Sequence, residues 1–306
     1  MLNSAGKYDL KRKLRFIPDI ISGWKMIAVL LSVTVIFGLL ILWLNQNPEL
    51  QGVWNSFVVD KKVPASFCEQ VHLNNPVRQP VNTFSNIIYL VIAIVVLKTS
   101  WEERFKRNSH DLVTVNTVYG FLFGLILLYV FFASSFYHTS LINIAHKLDY
   151  SAVFAFSLFP IIFFLHRRYL NHNSKLLSSQ KRKLTILFFS TYLLANLLLA
   201  FLIPRGKESL AALILIQIFL GLAFFAAIDK SGKQGRFYLA LSIVSVLIAF
   251  IWFEIDKYKI LCNPNSYFQP HSLWNLFIGI SAYNFYLYIR SEPDSGTIGI
   301  KMKQKE

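Results

Sequence analysis

A few ionisable and hydroxyl residues fall at the ends of long apolar runs, at spacings that could support chemistry. Ser134 precedes His138 by four residues, His146 precedes Asp149 by three, and His271 precedes Asn275 by four. On a helix each spacing puts two side chains on one face. Imidazoles from two helices, a carboxylate and a hydroxyl are the parts of a zinc hydrolase. The histidines hold the metal, the metal acidifies a bound water, the carboxylate takes its proton and the hydroxyl steadies the oxyanion. Ionisable groups at membrane depth are expensive and mark functional sites. Each residue also has a plainer reading. A histidine near a membrane boundary serves as an amphipathic edge residue, and a pair such as Ser134 and Ser135 serves helix packing or capping. Asp149 at the end of a span needs a partner, and Lys147 and His146 are near in sequence. Spacing alone leaves both readings open.

The elements that must position these residues are transmembrane helices. The chain has 306 residues, 55% of them apolar, 15% charged and 28 of them Phe, with a mean hydropathy of +0.47. Soluble domains carry about 25% charge. This composition excludes a disordered chain, a secreted disulfide scaffold and an ordinary soluble enzyme. Apolar runs at 26–44, 84–97, 112–133, 148–165, 184–203, 210–228, 237–253 and 273–289 predict eight spans, each needing ~20 residues of helix. The expected organisation is a basic cytoplasmic N-terminus (1–25), a transmembrane anchor (26–45), an extracytoplasmic loop (46–81), a seven-helix core (82–290) and a cytoplasmic tail (291–306). With both termini inside, 23 of the 31 Lys and Arg fall on inside segments and 8 on outside ones, the asymmetry that orients membrane proteins. It accounts for the net charge of +15 without nucleic acid as a partner, and no protein partner is inferred.

Cys68 and Cys262 are the only cysteines. Both fall on outside segments, where an oxidising compartment lets them pair; two separate thiols are the alternative. Gly120 and Gly124 form a small-xxx-small pattern that reads as helix packing, and Pro160 predicts a kink in the fourth span. The chain has no P-loop, HExxH, CxxC or GxSxG motif. It also has no Asn-x-Ser/Thr glycosylation site, which favours a bacterial inner membrane over the endoplasmic reticulum or Golgi.

Four stretches resemble the alkaline ceramidases and the wider CREST superfamily of membrane hydrolases. Phe67-Cys68-Glu69 followed by Val81-Asn82-Thr83-Phe84-Ser85-Asn86 is similar to the family's Cys-Glu and Asn-Thr-x-Ser-Asn stretch. Ser134-Ser-Phe-Tyr-His138 with Asp149 resembles its Ser-x3-His and downstream Asp. Asp256 and Cys262 resemble the loop bearing the second half of its disulfide, and His271-Ser-Leu-Trp-Asn275 resembles its last-helix His-x-x-x-His. Order and spacing agree from about residue 66 to 292, roughly three quarters of the chain. The resemblance implies an all-α bundle of seven core helices after one extra N-terminal span, with zinc on His138 and His271, Asp149 as general acid/base and Ser134 as oxyanion helper. The reaction it implies is hydrolysis of a lipid amide such as ceramide.

Asn275 departs from the pattern, standing where the third zinc ligand is expected. An amide oxygen is a poorer zinc donor than imidazole, and His146 or Asp149 is the nearest substitute in sequence. A loss of metal would leave a non-catalytic lipid-binding or receptor-like protein. The family's calcium-binding run reads Ser66-Phe-Cys-Glu-Gln-Val71 here, with Gln79 in place of a later Glu, so calcium is not expected. His138-Thr139 and Lys147-Leu-Asp-Tyr-Ser-Ala152 resemble the superfamily's GPI-anchor lipid-remodelling branch equally well, which makes an acyl-ester hydrolase of phospholipids the alternative reaction. Lys147-Leu-Asp-Tyr-Ser is also similar to the progestin and adipoQ receptors.

Overall fold

The fold is that of a computed structural model, which describes residues 24–59, 67–104, 118–172, 178–204, 206–228 and 233–291. The basic segments expected at the two termini lie outside the described residues except at their inner edges. Nine helices are described: α1 (Trp24–Gln46), α2 (Pro80–Ser85), α3 (Ile87–Glu103), α4 (Val118–Ser140), α5 (Asn143–His172), α6 (Ser178–Leu202), α7 (Glu208–Ile228), α8 (Lys233–Lys257) and α9 (Pro270–Ser291). Beyond them the described residues contain one short 3-10 turn, Pro48–Leu50, and an isolated bridge between Val59 and Ile142. The described residues are therefore all-α. Among the described residues six stretches are long and apolar enough to cross a membrane: α1, α2 with α3, α4, α5, α6 and α8. A helix closes its backbone hydrogen bonds internally, which is what lets such segments sit in hydrocarbon. Their outer faces are apolar as well, with Ile36, Leu187, Phe201 and Ile251 exposed. This is the surface of a multi-pass membrane protein.

Helices α3, α4, α5, α7, α8 and α9 form a ring in which each packs on the next and α9 returns to α3. α6 packs outside the ring on α5, and α1 packs outside it on α2 and α3. Phe37 of α1 stacks on Phe84 and meets Phe131 edge-on at 5.2 Å.

Lipid tails are as apolar as leucine, so helices in a bilayer associate through close packing and interhelical hydrogen bonds. Both devices are present. A Cβ added at Gly124 of α4 would lie 2.6 Å from Leu97 of α3, and one at Gly279 of α9 would lie 2.5 Å from Ile88 of α3. Gly124 of the Gly120–Gly124 pattern is thus a point of close packing against α3. Tyr192 of α6 donates to the Ala155 carbonyl at 2.9 Å, and Ser242 of α8 meets Ser281 of α9 at 2.9 Å. Arg290 of α9 pairs with buried Glu103 of α3, and Tyr119 of α4 bonds His166 of α5.

Helix α4 runs seven residues beyond the apolar run, through Ser134, Ser135, His138, Thr139 and Ser140. A two-residue turn, Leu141–Ile142, then leads into α5. The stretch 134–148, expected as an outside segment, is therefore almost wholly helical. His138 and Ser140 are buried and bond Gln79 Oε1 and the Phe136 carbonyl, so they end the hydropathy signal without ending the helix. Helix ends leave carbonyls unpaired, and those of α4 are taken up by a loop. Gln79 N–H donates to His138 O, Arg78 N–H to Thr139 O, and the Arg78 guanidinium to Ser140 O at 2.7 Å. A cation at this end also complements the helix dipole.

Candidate functional site

The loop that caps α4 also builds the site. Cys68 is disulfide-bonded to Cys262 with a Cα–Cα distance of 5.5 Å, and the Cys68 N–H donates to Asp256 Oδ1 at 3.0 Å. The next residue, Glu69, is buried and accepts from the Val81 and Asn82 N–H groups at 2.7 and 2.8 Å. It thus caps α2 from a distance, satisfying two donors of the first turn. Burial pushes its carboxyl up to about 7, while the two backbone N–H bonds and His271 pull the other way. Phe67 packs edge-on against both His138 and His271, at ring-centroid distances of 5.0 and 4.8 Å.

His138, from the last turns of α4, and His271, from the first turn of α9, lie with ring centroids 4.8 Å apart. Both are buried. Gln79 donates through its amide NH2 to Glu69 O, so its Oε1 faces His138 and accepts from Nδ1 at 2.8 Å. Nδ1 of His271 lies 3.5 Å from Asp256 Oδ2. An acceptor behind Nδ1 is how ligating histidines are oriented, with Nε2 left for the ligand.

Asp149, two turns into α5, accepts from the Ser134 hydroxyl and is electrostatically coupled to His271. The structure thus brings Ser134, His138, Asp149 and His271 together from three helices. Asn275 sits one turn along α9 from His271 and is engaged on both sides. Its Oδ1 accepts from the Tyr89 hydroxyl at 3.1 Å and its amide nitrogen donates to Ser85 Oγ at 2.8 Å. His146 is in the same cavity wall, its ring 5.2 Å from Tyr137 and 4.8 Å from Tyr150.

These contacts test the expected zinc. His138, with Gln79 Oε1 bonded at Nδ1, suits one position of a metal shell, whereas His271 Nδ1 lies 3.5 Å from Asp256 Oδ2 without a hydrogen bond. A catalytic zinc takes three protein ligands, and among the described residues no group of three or more His, Cys, Asp or Glu could hold a metal ion. Asn275 holds the third position as a hydrogen-bonding amide. The described donor set therefore does not fit a three-ligand zinc centre.

The site opens into a cavity of about 280 Å³ inside the ring of helices. Ser134, His146, Asp149, Glu208, His271 and Asn275 lie at the end formed by the C-terminus of α4 and the N-termini of α5, α7 and α9. Beyond them the wall is largely Val, Ile, Leu, Phe and Trp, interrupted by Ser157 and the Ser242–Ser281 pair. On α9 the lining runs from His271 to Phe285, which is ~21 Å of helix axis against a hydrocarbon core of ~30 Å.

Gln79 and Tyr89 carry no site role in the sequence-based reading, although the structure gives both a direct bond to a site residue. In sequence Gln79 stands out only as the replacement of a calcium-run Glu, with no link to His138, and Tyr89 is an aromatic in an apolar run. Compared with known proteins, the chain matches no family model, no curated protein and no solved structure.

Proposed function

We propose that this chain is a membrane-embedded hydrolase that draws a lipid amide into the cavity and cleaves it at the polar end, converting a ceramide-like substrate into a sphingoid base and a fatty acid. Both termini lie in the cytoplasm in this reading, and the polar end faces the outer side. The observation that carries it is the convergence of Ser134, Asp149 and His271 on one end of an otherwise apolar cavity. Such a cavity suits an amphiphile, with the chain along the apolar wall and the linkage at the polar groups.

Asp149 accepts a proton as water adds to the amide carbonyl, and returns it to the nitrogen as the carbon–nitrogen bond breaks. Ser134 donates to the carboxylate at rest. Once Asp149 is protonated it can donate to Ser134 Oγ, which frees the serine hydroxyl for the carbonyl oxygen as negative charge develops there.

The test is fatty-acid release from ceramide by the purified full-length protein. Asp149→Asn is expected to lower the rate by about 100-fold or more, and unchanged hydrolysis would refute the assignment. The product separates the reactions, since a sphingoid amine marks amide cleavage and a lysophospholipid marks the acyl-ester alternative. Zinc content belongs in the same experiment. About one zinc per chain would mean that a further donor completes the His138–His271 pair, and Asn275→His is the variant expected to raise occupancy. A second reading, a non-catalytic lipid-binding protein, is favoured by one observation: Asn275 is committed to Tyr89 and Ser85 where a ligand would be needed.

A further inference from the structure

The apolar wall of the cavity carries a second polar group, set apart from Ser134, Asp149 and His271. Ser157 of α5, Ser242 of α8 and Ser281 of α9 all line it, and all three are buried. Ser281 lies ten residues along α9 from His271, and Ser157 lies eight residues along α5 from Asp149, which is ~15 and ~12 Å of helix axis. Both fall just short of the same aromatic layer. Phe285, one turn beyond Ser281, meets Phe159 and Phe163 of α5 at 6.4 and 6.0 Å and Phe219 of α7 at 5.8 Å. The three hydroxyls thus sit at similar depth, at the end of the cavity away from His271. Their hydrogen bonds are incomplete. Among the described residues Ser157 has no hydrogen-bond partner, although it is only 9% exposed. Ser242 Oγ meets Ser281 Oγ at 2.9 Å, which uses one hydroxyl proton and leaves the other. Neither turns back to a carbonyl of its own helix, as Ser245 does to Leu241 O at 2.8 Å. Pro160, also in the wall, has no N–H to give the Phe156 carbonyl one turn back.

Small residues between membrane helices serve packing, and the Ser242–Ser281 bond does join α8 to α9. Packing accounts for neither the spare proton of that pair nor Ser157, which bonds to neither serine. A hydroxyl turned to an apolar space without a partner is costly. Two spare donors beside free lone pairs match a hydroxyl, which both donates and accepts, better than a ketone or an ether, which only accepts. We infer that Ser157, Ser242 and Ser281 form a distal subsite for a hydroxyl group carried near the far end of the lipid's hydrocarbon chain. The inference rests on the reading of the cavity as the site of a lipid amide and narrows that lipid to one whose chain ends in a hydroxyl.

The test compares two neutral isomers, 12-hydroxydodecanamide and 2-hydroxydodecanamide, which hold the functional groups constant and differ in where the hydroxyl falls. Each is titrated separately against the full-length protein in a non-ionic maltoside detergent, and one-to-one adducts are counted by native mass spectrometry. The 12-hydroxy isomer is expected to bind about fivefold more tightly than the 2-hydroxy isomer. Ser157→Ala breaks no hydrogen bond within the described protein and is expected to shrink that ratio about twofold. Adding Ser281→Ala is expected to bring it to about one. Equal or weaker binding of the 12-hydroxy isomer overturns the inference, as does an unaltered ratio in the double variant. If the double variant does not fold, an unaltered ratio in Ser157→Ala overturns it instead. Selectivity for the distal hydroxyl without hydrolysis of any lipid amide would sink the proposed reaction alone, whereas hydrolysis without that selectivity would sink the subsite alone.

Discussion

Glu69 offers the sharpest test of how the site is assembled. Its carboxyl is buried and receives two backbone N–H groups from α2, yet burial outweighs them and raises its pKa from 4.5 to about 7. The folded protein therefore holds a proton that the unfolded chain releases near 4.5. Stability depends on pH through the difference in bound protons between the two states. Here the folded state binds more, so stability is greatest below about 4.5 and declines as pH rises toward 7. At ~1.36 kcal/mol per pH unit, that interval is worth roughly 3 kcal/mol. Glu69→Gln keeps an acceptor for one N–H, loses the other bond and cannot ionise. The assay is unfolding of both proteins in mixed micelles at a series of pH values, taking the wild-type-minus-variant difference so that other titrating groups cancel. That difference should fall by roughly 3 kcal/mol between pH 4.5 and 7.5. A flat difference would show that the carboxylate stays ionised throughout and that the two N–H bonds outweigh burial.

Two further outcomes test the packing and the covalent tie. Gly124→Ala should destabilise the bundle by about 1–3 kcal/mol, because the new Cβ meets Leu97 at its Cγ and not only at its tip; adding Leu97→Ala should restore the thermal midpoint, and a single variant that melts like wild type would refute the close approach. Cys262→Ser opens a loop spanning 194 residues, for which the chain-entropy ceiling is roughly 5 kcal/mol. The expected loss is smaller because the intervening helices stay in the membrane. Wild type in reductant should melt with the variant, and equal midpoints with and without the bridge would refute its role.

The helices were legible in the sequence because long apolar runs leave little choice of structure in a bilayer. Their ends were less so. Hydropathy stops at Ala133, but α4 continues to Ser140 because Arg78 and Gln79 take up its terminal carbonyls. No local pattern announces that arrangement. Ser134, His138, Asp149 and His271 were found by type and spacing, and they converge. The partners that hold them were not found as such. Gln79 is 59 residues from His138 and Tyr89 is 186 from Asn275, so each acquires its role only from the closing of the ring. The apolar run at 273–289 reads as a span, yet α9 as a whole is not among the helices apolar enough to cross a membrane, since it carries His271 and Asn275 at one end and buried Arg290 at the other.

One loop sets the chemistry of both imidazoles. Gln79 can accept at Oε1 only, since its amide nitrogen is directed to Glu69 O. Nδ1 of His138 then donates to Gln79 Oε1. Asp256 stands behind Nδ1 of His271 and is itself held by the Cys68 N–H. Residues 67–79 thus reach both histidines, one through the loop's own glutamine and one through an aspartate from the end of α8, and the Cys68–Cys262 bridge fixes the two arms together. The polar end assembled in this way, with Ser134, Asp149 and His271 in the cavity wall, is the reason to look for hydrolysis before assigning the cavity to passive lipid binding.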